Sequence, residues 1–321
     1  MTVAVTGATG FAGRPAIAEL LKRGHRVTAL VRNPARAALP PVVNIVEGDL
    51  LNGAALAALV QGADAVLHLA GAIAAANPGD YFKYNSFPTR VLAEAARRAG
   101  VKRFVHVSSL AARQPELSAY GASKRAGEDA LQPFASALQL LVLRPPAIYG
   151  PGDRGTLPLI KELTHPIALI PGGRMARFSL IHVEDVARVL ADAVASDVTG
   201  LRELSDGKAG GYGWDELIAI AEAAEGRIIR PIFLPRPLVA GVAVVASLVS
   251  RLTGRPGMVD PGKVAELYHP DWVSRGPGWP LDEPITFERG LPMTLAWYRA
   301  AGWLPRKRKP DRSSATSSHE A

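Results

Sequence analysis

The chain has 321 residues, 48% of them hydrophobic and 21% charged, a balance that sustains a globular core and excludes both wholesale disorder and an all-apolar membrane protein. It has no cysteine, which excludes disulfides, thiolate catalysis and zinc-finger sites and fits a reducing compartment. The net charge of +8 does not imply a specific nucleic-acid partner. The only dense basic run, Arg306-Lys307-Arg308-Lys309, leads into a Ser-rich end, the composition of a disordered solubilising tail, with contact to an anionic surface as the alternative.

Thr2-Val3-Ala4-Val5 reads as a strand at the very start and leaves no room for a secretory leader, so the expected location is cytoplasmic. Val-rich runs then alternate with helical periods over the first 150 residues. Strands are expected at 3–5, 27–31, 43–46, 65–69, 104–107 and 140–143, and helices at 15–23, 54–60, 89–99 and 124–131, an α/β pattern that predicts a doubly wound parallel Rossmann sheet over residues 1–150. Past Gly150 prolines and glycines multiply, and helices at 183–195 and 214–224 lack alternating strands. Residues 151–303 therefore read as an irregular, mostly helical substrate part with some segments returning to the sheet, and 304–321 as the tail. The apolar run 238–249, between Arg236 and Arg251, is too short to span a bilayer. It is expected to be a buried helix, with lining of an apolar pocket or peripheral membrane contact as alternatives.

Directly after the first strand comes Thr6-Gly7-Ala8-Thr9-Gly10-Phe11-Ala12-Gly13. Glycines at this spacing let backbone approach a pyrophosphate at a helix N-terminus. No acidic residue stands at the end of the second strand to grip a ribose hydroxyl. Arg32 stands there instead, suited to the 2′-phosphate of NADP, with NAD as the alternative cofactor. Asp49 and Leu50 follow the third strand, where an adenine could rest. Tyr120 and Lys124 are four residues apart at the start of a helix and so share a face, and Ser108-Ser109 ends the fifth strand. The expected chemistry is proton transfer at a substrate oxygen by Tyr120, with Lys124 lowering its pKa and holding the cofactor ribose, and Ser109 orienting the carbonyl.

Five segments agree in order with one family: TGATGFAG at 6–13, GDL at 48–50, HLAG at 68–71, VSS with YGASK at 107–124, and LRPPAIYGP at 143–151. On these the chain resembles the extended short-chain dehydrogenase/reductase superfamily, which includes NAD-dependent epimerases and dehydratases. The resemblance implies that Phe11, Ala70, Asn85 and Pro146 lie along the cofactor, with Pro88 disturbing the usual motif around Asn85, and that homodimers form through the helices at 89–99 and 124–131. It also implies structural roles for His182 and Asp185. Ala147 replaces the asparagine with which nucleotide-sugar epimerases hold a diphosphate, so the chain looks more like the branch of 3β-hydroxysteroid dehydrogenases and dihydroflavonol reductases. The expected activity is hydride transfer between NAD(P) and a secondary alcohol or ketone of a moderately apolar small molecule. A sugar epimerase is the alternative, and a structural subunit of a membrane complex is the alternative of another class.

Overall fold

The computed structural model describes residues 1–254, Gly257 and 260–306; all of the basic tail beyond Arg306 lies outside them. A seven-stranded parallel sheet is built from β1 (Thr2–Thr6), β2 (Arg26–Val31), β3 (Asn44–Glu47), β4 (Ala65–His68), β5 (Arg103–Val107) and β6 (Gln139–Arg144) in the order β3-β2-β1-β4-β5-β6. The seventh strand, Gly200–Glu203, adds itself beyond β6. Every pairing within the sheet is parallel, so all the strands point their carboxyl ends at one edge. The chain order reverses between β1 and β4, the place where α/β sheets open a ligand crevice.

Both faces of the sheet are covered, which is why its strands read as apolar runs rather than as alternating ones. Val3, Val5, Leu67 and Val105 point to one core with Ile17 and Leu20 of α1 (Gly13–Lys22), whereas Ala4, Val66 and Phe104 point to another with Leu56 and Leu59 of α2 (Gly53–Leu59). Each fully buried leucine here contributes about 2 kcal/mol from its removal from water. A helix not anticipated from the sequence, α3 (Pro78–Asn85), precedes α4 (Phe87–Arg98), whose Leu92 and Ala96 join the second core. Pro88 falls in the first turn of α4, where a missing N–H costs nothing, so it leaves Asn85 in regular helix. Helix α5 (Ala119–Asp129) carries Tyr120 and Lys124.

The chain from Ala147 onward holds more strand than expected. Short strands β7 (Ala147–Tyr149), β8 (Ile167–Pro171), β9 (Arg177–Phe178) and β10 (Leu180–His182) precede the seventh sheet strand, β11. They pair in small ribbons with one another and with β12 (Tyr212–Gly213), β13 (Arg230–Leu234) and β14 (Asp271–Trp272). Between them run α6 (Leu157–Glu162), α7 (Val183–Ala195), α8 (Trp214–Glu225), α9 (Arg236–Thr253), α10 (Pro261–Leu267) and α11 (Phe287–Ala300). Helix α7 returns to the sheet, with Val186, Val189 and Leu190 in the core that holds α1. His182 and Asp185 do structural work at its start: His182 Nδ1 accepts the Glu184 N–H, and Asp185 accepts the Ile285 N–H at 2.7 Å.

The apolar helix corrects the expectation of burial. Within α9 only Ala243 and Ser250 are buried, and Leu238, Val242, Val245, Leu248 and Leu252 are each more than half exposed. Among the described residues it is the one helix long and apolar enough to cross a membrane by length and composition.

Candidate active site

The loop after β1 uses its three glycines differently. Gly7 has φ +78°, and a Cβ on it would stand 2.8 Å from the Ala70 nitrogen, so it lets the loop pack on the end of β4. Gly13 packs its Cα against the Gly7 carbonyl, 2.0 Å from where a Cβ would sit. Gly10 and Thr9 are exposed, and a Cβ on Gly10 would meet only the Gly7 oxygen, at 3.1 Å; theirs is the open face of the loop, with Phe11 partly exposed beside it. Helix α1 starts behind them with no side-chain cap and no acidic residue in its first turn. Uncapped N–H groups beside an open glycine face are what a diphosphate requires, so the residues fit a dinucleotide.

The adenosine rim lies along the same edge. Arg32 is exposed at the end of β2, and among the described residues its guanidinium has no hydrogen-bond or ion-pair partner. Arg14 braces the neighbouring loop through the carbonyls of Ala37 and Ala38 at 2.9 and 2.8 Å. Asp49 is exposed and spends one oxygen on the Leu51 N–H at 2.9 Å, while Leu50 is partly buried against the core under α2.

From the mouth of β1 a chain of buried hydrogen bonds runs to the catalytic helix. The Ala70 N–H donates to Thr6 Oγ1 at 3.2 Å, and Thr6 Oγ1 is 2.6 Å from His68 Nδ1. His68 Nε2 is 3.0 Å from Thr89 Oγ1, which donates to the Asn85 carbonyl at 2.8 Å. Because both hydroxyls have committed their protons or lone pairs, His68 is assigned as the neutral Nε2–H tautomer. Burial and the nearby Lys124 push its pKa down to about 3, consistent with that form. Asn85 continues the chain: its amide grips the Ala72 backbone at 2.6 and 3.0 Å and donates to Ser123 Oγ at 2.8 Å, which donates to the Tyr120 carbonyl at 2.7 Å. Asn85 is 1% exposed, so it positions the loop after β4 and α5 from behind.

Of the serine pair after β5, only one faces the tyrosine. Ser108 donates to Glu128 at 2.5 Å, and Glu128 holds Arg144 of β6 in a buried two-pronged pair at 2.8 and 2.5 Å. Ser109 caps the turn that follows, accepting the Ala111 N–H at 3.2 Å, and its hydroxyl lies near enough to Tyr120 to lower that tyrosine's pKa. Pro146 is buried beside that turn, whose Leu110 N–H donates to the Pro145 carbonyl at 2.8 Å. Lys124 is buried, donates to the Val107 carbonyl at 2.7 Å and faces Gly71 at the cofactor crevice. Ser109, Tyr120 and Lys124 thus all lie at the carboxyl edge where the glycine loop also opens.

The electrostatics differ from expectation. Burial pushes the Tyr120 hydroxyl above its usual value, and what pulls it back is the neighbouring Ser109 hydroxyl and the ammonium of Lys263. Lys124 is itself pushed down to about 8 by burial, against the opposing pull of Glu128. Lys263 lies on α10, with Nζ 5.7 Å from the Tyr120 ring centroid and 2.8 Å from Glu266 Oε2. Glu266 also accepts from Ser118, the N-cap of α5. Tyr81 of α3 meets the Tyr120 ring edge-on at 6.0 Å and donates to Asp260 at 3.3 Å. None of these five was singled out in the sequence, although Asn77-Pro78 and Asp260-Pro261 are helix-start signals that mark both supporting helices.

Beside Tyr81 lies a cleft of about 430 Å³, bounded by Pro78, Ala119, Ala122, Ser247 and Pro261. Ala147 is exposed and offers no polar group.

A family model described as "NAD dependent epimerase/dehydratase family" matches residues 3–202. The chain is 42% identical over 310 residues to the ceramide reductase of Caulobacter vibrioides, covering 95% of this chain and 96% of the relative. It is 30% identical to sterol demethylase protein B of Methylococcus capsulatus, covering 78% and 83%, and 27% identical to the UDP-glucose 4-epimerase of Erwinia amylovora, covering 74% and 86%. Among solved structures, MoeE5 in complex with UDP-glucuronic acid and NAD shares the fold with a TM-score of 0.66 at 24% identity, covering 94% of this chain and all of that one.

Proposed function

Because the chain belongs to the NAD-dependent epimerase/dehydratase family, we propose that it is a reductase that uses NADPH to convert a ketone on a long-chain amide lipid of the ceramide class into a secondary alcohol. The observation that carries this reading is the Tyr120 ring packed edge-on against Tyr81, which lines a cleft flanked by an apolar helix, with the Ser109 hydroxyl near enough to lower the tyrosine pKa. The 42% identical ceramide reductase supports the substrate class. A reduced nicotinamide, held in the crevice, would supply the hydride for the carbonyl carbon. Tyr120 gives its proton to the carbonyl oxygen and regains one from solvent, while Ser109 hydrogen-bonds that oxygen and holds the carbonyl in line. Lys124 reaches toward the nicotinamide ribose from its place beside Gly71. Arg32 would pair with the 2′-phosphate, Thr9 and Gly10 would take the diphosphate, and Asp49 with Leu50 and Phe11 would flank the adenosine half. Ala70 and Pro146 would border the nicotinamide, and Asn85 fixes the loop after β4 through the Ala72 backbone. The reading places the protein where reduced nicotinamide is made, in the cytoplasm.

The test is to follow NADPH oxidation on adding a keto form of a ceramide, with Tyr120→Phe as the control. Net consumption of NADPH that falls at least about a hundredfold in the variant is the expected result. Turnover of a nucleotide sugar with no net consumption of cofactor supports instead the epimerase reading, which the Erwinia relative favours and the exposed Ala147 opposes.

A further inference from the structure

Helix α9 reverses the usual polarity of a surface helix. Its inward face is made mostly of small residues, Ala243 and Ser250 buried and Val239, Ala240, Ala246 and Ser247 partly so, whereas its other valines and its leucines face out. From Arg227 to Thr253 the chain has four arginines and no carboxylate. Arg236 and Arg251 stand exposed at the two ends of the helix, so a contiguous apolar face is bracketed by cations. Eighteen residues extend about 27 Å, but both ends are tied to one folded body. β13 enters through the single residue Pro235, and α10 follows and carries Lys263 to the Tyr120 ring. A helix so tethered lies along a membrane surface rather than through it.

We propose that α9 docks on an anionic lipid bilayer, bedding its valines and leucines at the headgroup boundary with Arg236 and Arg251 on lipid phosphates. A long-chain substrate then passes from the bilayer into the cleft under the helix, where Ser247 and Ser250 form one wall and Tyr81 separates the space from Tyr120. The delivery step rests on the lipid-ketone reading above; the docking does not. Charge favours a bilayer over a second copy of the chain. Either two-fold pairing of α9 with itself sets arginine against arginine, whereas anionic headgroups complement them.

The experiment is flotation of the full chain with vesicles of phosphatidylcholine alone and of phosphatidylcholine mixed with phosphatidylglycerol, alongside the Val245→Asp/Leu248→Asp variant and its sedimentation-equilibrium mass. Expected is binding to the anionic vesicles that weakens with salt and falls at least about tenfold in the variant, which still turns over a short, water-soluble ketone as before. With vesicle-bound long-chain substrate the variant loses turnover in proportion. Absence of binding to anionic vesicles overturns the docking, as does a solution dimer that the variant dissociates. Since flotation contains no substrate, its failure leaves the reductase reading standing, and failure of that reading leaves flotation unaffected.

Discussion

The ammonium of Lys263 stands 5.7 Å from the centroid of the Tyr120 ring and is, among the described residues, the one cation that pulls the tyrosine pKa down. Its removal raises the Tyr120 pKa further, which penalises the direction that needs the phenolate, alcohol oxidation. Lys263→Met is expected to lower kcat/KM for oxidation near neutrality by about 3- to 10-fold and to move its alkaline rise to higher pH. Carbonyl reduction, which needs the protonated tyrosine, changes less. Lys263→Arg restores most of the loss. Equal losses in both directions for Met and Arg alike would mean that the residue only holds Glu266 and the cap of α5.

The shift of Lys124 to about 8 sets a limb in the reductive pH profile. Tyr120, pushed up by burial, stays protonated there, so the group lost on raising the pH is the Lys124 charge. The expected profile of kcat/KM for reduction falls above pH about 8. The stability effect has the opposite sign. The unfolded lysine keeps its proton to its usual 10.5 while the folded one releases it near 8, so the unfolded state binds more protons between these values and this group adds stability as pH rises through them. A flat kcat/KM profile from pH 7 to 10 contradicts the assignment.

What was legible follows the range of the interactions. The sheet, its carboxyl edge and the Ser109, Tyr120 and Lys124 positions depend on neighbours in the βαβ chain, and periodicity with spacing reports neighbours. The roof over Tyr120 comes from α10, far along the sequence, and no local pattern links Lys263 to Tyr120. Composition likewise read 238–249 as apolar but could not say which way the apolar side chains face. The small residues at 240, 243, 246 and 247 hinted at it, because a helix that buries only alanine and serine has its large side chains left over.

Arg32 stands exposed at the rim of the crevice with no partner among the described residues, free to meet a phosphate there. Arg32→Ala is expected to raise Kd for NADPH by about 10- to 100-fold, the loss of a charge-assisted, two-pronged contact, and to leave Kd for NADH within about threefold. Titration of intrinsic fluorescence with each cofactor measures both. A native protein that prefers NADH, or a variant that weakens both cofactors alike, removes the 2′-phosphate role.

The glycine loop separates folding from binding. An added methyl at Gly13 lands 2.0 Å from the Gly7 carbonyl, backbone against backbone, whereas at Gly10 it meets the same oxygen at 3.1 Å and otherwise open space. Gly13→Ala is therefore expected to cost at least about 3 kcal/mol of stability, visible as a lowered urea midpoint, together with cofactor binding. Gly10→Ala leaves the midpoint within about 1 kcal/mol and still weakens NADPH, because the methyl occupies the face on which the diphosphate rests. If Gly10→Ala binds NADPH as tightly as the native chain, the diphosphate does not sit on that face, and the open side of the loop has been misread.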